Sequence, residues 1–342
     1  MYSEQYPIGM TIRAWRRHSN NLLLCLFLLF ICGTEVARGE PTDNGPQITP
    51  WFTGTLLSTR GTSLGKGHAV VEPYVYYTRY GGLYNDNWRL QSATTSQSLT
   101  QQTYFIYGLT DSLDIEIAPQ WIGNHARGDS ADGFGDLPLQ LGVQAWRSPA
   151  QSWVPDIRLW VQEIVPTGHY SELSPATADL ERTGGGAYAT TFGIALQKAI
   201  PFGGEHVLRY RLNATYSIYS SVAVRGFNAY GGGFGTTGRV SPGAVSTVTI
   251  AGEYSLTRRL VLALDIGFQT VNATQFSGDP GLDPQGRPAF VGRGASNLVT
   301  IAPALEYSWN EHVGVLAGPW MSLSGRNTSE FFGIVAALYL FL

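Results

Sequence analysis

Two short runs in this chain carry residue types that could do chemistry. In "HARGDSADGFGD", His125 stands near Asp129, Asp132 and Asp136, a set that could ligate a hard cation through oxygen or serve a hydrolase. In "GHYSE", His169 and Ser171 lie two residues apart, which suggests a base and a nucleophile. Neither spacing is specific. The aspartates match no calcium-loop signature, and catalytic serines are paired with histidines by geometry rather than by adjacency. Among His68, His125, His169, His206 and His312 no HxxxH or HExxH pairing occurs, so no zinc site is expected. "GFGTTG" at 233–238 satisfies the dinucleotide spacing. It leads into Val240, Pro242 and Gly243 instead of a helix, so it reads as a loop rather than a phosphate cradle. No catalytic residue, cofactor or metal is expected.

The charges follow a different rule. In "HVLRYRLNATYSIYS", Leu208, Tyr210, Leu212 and Ala214 alternate with Arg209, Arg211, Asn213 and Thr215. A two-residue period places the two sets on opposite faces of a β-strand. The same alternation recurs in about twelve segments: 66–79, 98–109, 113–124, 134–147, 156–166, 186–199, 206–220, 244–256, 260–272, 296–308, 312–323 and 330–342. In each, one face is apolar and the other carries polar or small residues. Collected over the chain, the polar faces hold Glu72, Asp114, Glu116, Arg158, Arg209, Arg211, Glu253, Asp265 and Glu306.

The connections between these segments alternate in length. The stretches 80–97, 125–133, 167–185, 221–243 and 273–295 are long, with a shorter 324–329, whereas 110–112, 148–155, 200–205, 257–259 and 309–311 are mostly tight. A soluble sandwich has no reason to sort its loops by parity. A transmembrane β-barrel does, because short turns face the periplasm and long loops face outward. Strands of about ten residues, tilted by about 40°, also rise roughly the 25 Å of a lipid-facing band. The expected fold is therefore all-β: a closed antiparallel transmembrane barrel of about twelve strands, with both termini in the periplasm. Its closing strand would be "FFGIVAALYLFL", and Tyr76, Tyr107, Trp121, Tyr254, Tyr307 and Trp309 are expected in aromatic girdles. A soluble sandwich or propeller would use the same alternation but not the loop parity.

The first residues bear on location. Arg13, Arg16 and Arg17 precede the apolar run Leu22 to Cys32, and Ala37 and Gly39 follow it, which is the pattern of an export signal over 1–39. Eleven residues at about 1.5 Å each do not cross a bilayer core of about 30 Å. Both cysteines, Cys25 and Cys32, fall in that run, so the exported chain has no disulfide. The segment 40–65 has three prolines and the apolar patch Trp51, Phe52, Leu56 and Leu57, and is expected at or in the periplasmic mouth. The barrel proper is expected over 66–342 in the outer membrane of a Gram-negative cell. A formal charge of −3 argues against nucleic acid. The expected partners are outer-membrane lipid, the barrel-assembly machinery and a small-molecule solute.

The runs "YGLTDSLDIEIAPQW", "GFGDLPLQLGVQAW" and "RLWVQEIVPTG" resemble the turn, the Gly-Asp-led strand and the Pro-Thr-Gly strand end of the bacterial outer-membrane family named for the meta-pathway of phenol degradation. The match is clearest over 104–200. The resemblance implies an outer-membrane barrel that passes small, often hydrophobic compounds, with no catalytic residues to assign. On the residues' own showing, a channel is expected whose selectivity is set by Asp114, Glu116, Arg158, Arg209, Arg211, Glu253, Asp265 and Glu306. A hydrolase at the outer rim is the alternative.

Overall fold

The computed structural model describes residues 50–149 and 152–342. The export-signal reading of 1–39 lies outside the described residues.

The chain forms strands β1 (Ala69–Tyr84), β2 (Leu90–Gly108), β3 (Leu113–Ile117), β4 (Gln120–Ala126), β5 (Asp129–Phe134), β6 (Leu137–Trp146), β7 (Asp156–Val165), β8 (Ala189–Gly203) and β9 (His206–Tyr219). There follow β10 (Val222–Arg225), β11 (Thr237–Ser241), β12 (Val245–Ser255), β13 (Leu260–Val271), β14 (Gln275–Asp279), β15 (Ser296–Ser308), β16 (Val313–Arg326) and β17 (Thr328–Phe341). A single helical turn, α1, spans Ala178–Glu181. β3 with β4, and β5 with β6, are halves of two long strands interrupted at 118–119 and 135–136. The wall is then a closed antiparallel barrel of 12 strands, shut by pairing of β1 with both β17 and β2.

Closure leaves no free edge around this ring, as backbone groups in hydrocarbon require. The pleat does the sorting. Val75, Tyr77, Ile115, Ile117, Leu139, Leu141, Leu262, Leu264 and Ile334 point outward and are exposed, while Asp114, Arg158, Glu253, Asp265 and Glu306 point inward and are fully buried. This inverts the distribution of a water-soluble domain. It fits a wall with lipid outside and a polar interior.

Three connections are shorter than their sequence suggests. β1 and β2 stay paired out to Tyr84 and Leu90, β4 and β5 meet at Ala126 and Asp129, and only Asn327 separates β16 from β17. The reason is composition. Residues 91–97 are Gln, Ser and Thr with a single Ala, so the strand carries no apolar alternation there, although it stays paired with β1 on either side of an irregularity between Ser92 and Ser96. Arg127 and Gly128 both have positive φ, 54° and 91°, which suits a tight two-residue hairpin. The connections 166–188, 220–244 and 272–295 remain long. The last two build a small sheet, β10–β11–β14, around Val222, Val224 and Val240.

Tyr107, Trp121, Tyr254, Tyr307 and Trp309 face outward, as expected of girdle residues. Tyr76 does not. It lies on the inward face of β1 with Tyr74 and beside Tyr104, because even-numbered positions of that strand point into the lumen.

Candidate functional site in the lumen

The interior is occupied by residues 50–65, which run as an arc along the inner wall. Trp51 donates its N–H to Arg258 O (2.9 Å), and its carbonyl accepts from Ser308 Oγ (3.1 Å). Glu306 on β15 accepts from Thr53 N (2.8 Å), Thr53 Oγ1 (2.9 Å) and Gly54 N (3.2 Å). Asp265 on β13 accepts from Leu57 N (3.3 Å) and Ser58 N (3.1 Å). Arg211 and Asn213 on β9 donate to the carbonyls of Ser58 and Thr59 (both 3.1 Å). Gln197 on β8 accepts from Gly61 N (3.2 Å), and Gln144 on β6 accepts from Ser63 N (2.6 Å). Asp114 on β3 accepts from Leu64 N (3.0 Å). The wall residues touched follow the order of the strands around the barrel. They lie in the half of the wall nearest the short turns, from Asp114 and Glu306 beside the turns to Asp265 and Asn213 at mid-strand, and the arc sits in that layer.

The segment needs this arrangement. A stretch with no partner strand must satisfy its N–H and C=O groups some other way, and buried side chains of the wall supply the bonds. Leu56 supplies the apolar part, packing where the wall offers Ala263, Ala302, Ala304 and Ala337. Gly108 is bare for the same reason, since a Cβ there would meet Gly65 O at 1.9 Å.

The charges lie in this layer. Arg209 and Glu253 are register partners on β9 and β12, and Arg209 Nε donates to Glu253 Oε2 at 2.6 Å, with Arg211 Nε at 3.2 Å from the same oxygen. Arg209 also covers the ring of Phe52, with 4.1 Å from guanidinium carbon to centroid. Arg158 on β7 reaches Asp114 at 2.5 Å by crossing the intervening β6 at Gly142. A Cβ at that position would stand 2.0 Å from Arg158 Nη2. Arg60, from the arc, lies 3.6 Å from Asp114. Glu116 accepts a long bond from Gln140 Nε2 (3.4 Å).

The structure thus brings Asp114, Arg158, Arg209, Arg211, Glu253, Asp265 and Glu306 to the surface that holds residues 50–65, with Glu116 facing the cavity beside it. Two voids flank the arc. One, of about 440 Å³, opens toward the lumen and is lined by Glu72, Tyr74, Tyr104, Glu116 and Asn213; the other, of about 590 Å³, lies at the short-turn mouth beside Trp51, Lys198 and Glu311. Sequence reasoning passed over Arg60, Gln144, Gln197 and Asn213. The inward register of the last three was readable, but their engagement with the arc was not.

The chemically suggestive loop residues are not assembled. Ser171 Oγ donates to Arg225 O (3.1 Å) and accepts from Arg225 N (2.9 Å), and no histidine ring bonds a serine or threonine hydroxyl among the described residues. Asp136 accepts from Gly168 N (2.9 Å) and Gly185 N (2.8 Å), so it fastens the 166–188 connection to the wall. His125 pairs across the hairpin with Ser130 on the outside of the wall. No cluster of three metal-ligating side chains occurs among the described residues.

No protein-family model and no curated protein matches the sequence. Among solved structures, the chain is similar to the COG4313 outer membrane channel from Pseudomonas putida F1, with 15% identity and a TM-score of 0.64 over 84% of this chain and 100% of that one. The translocator domain of the autotransporter NalP from Neisseria meningitidis overlaps at 12% identity, covering 81% of this chain and 89% of that one with a TM-score of 0.41. The first likeness establishes the fold, that of an outer-membrane barrel.

Proposed function

We propose that the chain is an outer-membrane channel for small molecules, aromatic ones among them, and that residues 50–65 gate it from the periplasmic side. The observation that carries the reading is how the segment is held. Its main chain is bonded by polar side chains around the interior, and it meets the wall through hydrogen bonds, ion pairs and packing, while its peptide link to β1 keeps it tethered. A permanent filling of the barrel would be served better by apolar packing, since buried charges stabilise little against hydrophobic replacements. A segment held by separable bonds in a wet lumen can leave.

The shared fold with a protein described as an outer membrane channel supports the reading. So do the inward charges, whose mixed signs suit solute selection in a water-filled pore. The wall carboxylates and arginines named above would act on solutes once the arc has moved, and would hold the arc when it has not. Export through a cleaved signal and assembly in the outer membrane complete the proposal.

The deciding experiment is conductance of the refolded full chain in planar bilayers, with and without residues 50–65. A larger, solute-dependent conductance on deletion supports a gated channel. Absence of conductance from both forms, in barrels that migrate as folded species, refutes it.

A further inference from the structure

Glu72 and Glu116 differ from the other lumen carboxylates. Asp114 and Glu253 are matched by arginines, and Asp265 and Glu306 by backbone N–H groups of the arc. Glu72 and Glu116 form no ion pair among the described residues, and both face the void of about 440 Å³. That volume falls in the range of small-molecule sites, about 300–1,000 Å³. The charged lining of the void is Glu72, Glu116, Arg60, Arg209 and Arg211; Arg209 and Arg211 are engaged by Glu253, which leaves Arg60 as the basic group facing Glu72 and Glu116.

A second observation points the same way. Asn213 also lines the void and is buried to 6% exposure; its amide nitrogen is used by Thr59 O, while its Oδ1 has no partner. It is an acceptor awaiting a donor. Tyr74 and Tyr104, packed edge to face at 5.3 Å, supply an aromatic wall. Carboxylates, an unused amide oxygen and ring faces all recognise one kind of group, a cation carrying N–H donors.

The only cation the arc itself offers there is Arg60, and it fits loosely. Its distance to Asp114 is 3.6 Å and its Nη2 is buried without a hydrogen bond. We infer that this void is a binding site for a small organic cation of the amidinium or arylalkyl-ammonium class, which Arg60 occupies in part and which a better-fitting cation takes over. The inference rests on the channel reading and names its substrate class. Binding would neutralise Glu72 and Glu116 and weaken the hold of Asp114 on Arg60, so occupancy and release of the arc are coupled.

The test uses the refolded full chain, benzamidine as the cationic probe and benzoate as its anionic counterpart of similar shape. Calorimetry in detergent is expected to show one benzamidine site and no benzoate site. Glu72→Gln with Glu116→Gln should weaken benzamidine at least tenfold, and Arg60→Gln should tighten it severalfold by removing the competing charge. Equal binding of benzoate, no benzamidine binding, or an unchanged affinity in the double variant overturns the inference. Where the double variant does not refold, Glu116→Gln and Arg60→Gln decide by shifting affinity in opposite directions, and failure to do so refutes the site. Conductance without benzamidine binding removes the site and leaves the channel. Binding without conductance does the reverse.

Discussion

Removing both carboxylates that hold the front half of the arc should open the barrel. Glu306 and Asp265 together accept four backbone N–H groups, from Thr53, Gly54, Leu57 and Ser58, and one hydroxyl, that of Thr53. Hydrogen bonds to charged groups contribute about 1.5–3 kcal/mol each. Water in a polar lumen can replace part of this, so about 1 kcal/mol per backbone donor is the fairer figure. Four donors give about 4 kcal/mol, which moves the ratio of docked to undocked arc by about a thousandfold at 1.4 kcal/mol per decade. Each single change gives about 2 kcal/mol, or roughly thirtyfold. The assay is paired: single-channel open probability, and cleavage of residues 50–65 by a protease added from the short-turn side. Glu306→Ala with Asp265→Ala should raise both, while heat-modifiable migration confirms a folded wall. Wild-type open probability and wild-type cleavage in a folded double variant would show that the arc is a fixed lining, and the reasoning from separable bonds would fail.

Other outcomes follow from single contacts. Arg211→Glu removes the donor to Ser58 O and reverses a charge beside Glu253, so reversal potentials should shift toward cation selectivity; unchanged potentials in a conducting channel would leave selectivity to the long loops. Gly142→Ala places a methyl against the Arg158 guanidinium and separates a fully buried ion pair, which should cost about 3–5 kcal/mol and lower the temperature of heat-modifiable unfolding. Asp136→Ala frees Gly168 N and Gly185 N, so the 166–188 connection should become protease-sensitive while the wall stays resistant; calcium should change neither form.

How far these features were legible depends on whether they repeat. The wall was readable because lipid on one side and a polar interior on the other impose the same two-residue period on every strand; the register that sets Arg209 opposite Glu253 was not, because a long connection joins β9 to β12. Where the strands pass beyond the apolar band the period disappears, and residues 90–97 read as loop although they belong to β2 and pair with β1 at 90–92 and 96–97. Tyr76 shows a subtler limit: an aromatic near a strand end suits a girdle, but parity along β1 sends it inward, and parity is the stronger constraint.

The arc was the least legible element. Its sequence has no period, since it is bonded by whatever polar side chain each successive strand presents. Trp51 and Phe52 announced burial, and Arg258 and Arg209 do cover them. Nothing in the segment's own residues, however, indicated an arc from β15 round to β3. That information is carried by the wall, as an acid, an amide or an arginine at the right height on each strand. It follows that the path of the arc should be redirected more readily by changing wall residues such as Gln197 or Asn213 than by changing most side chains of the segment itself. Those wall groups bind its backbone, which substitutions leave in place except for proline and except at Gly61, where a Cβ would stand 2.3 Å from that of Gln197, and Gly54, whose φ of 128° favours glycine.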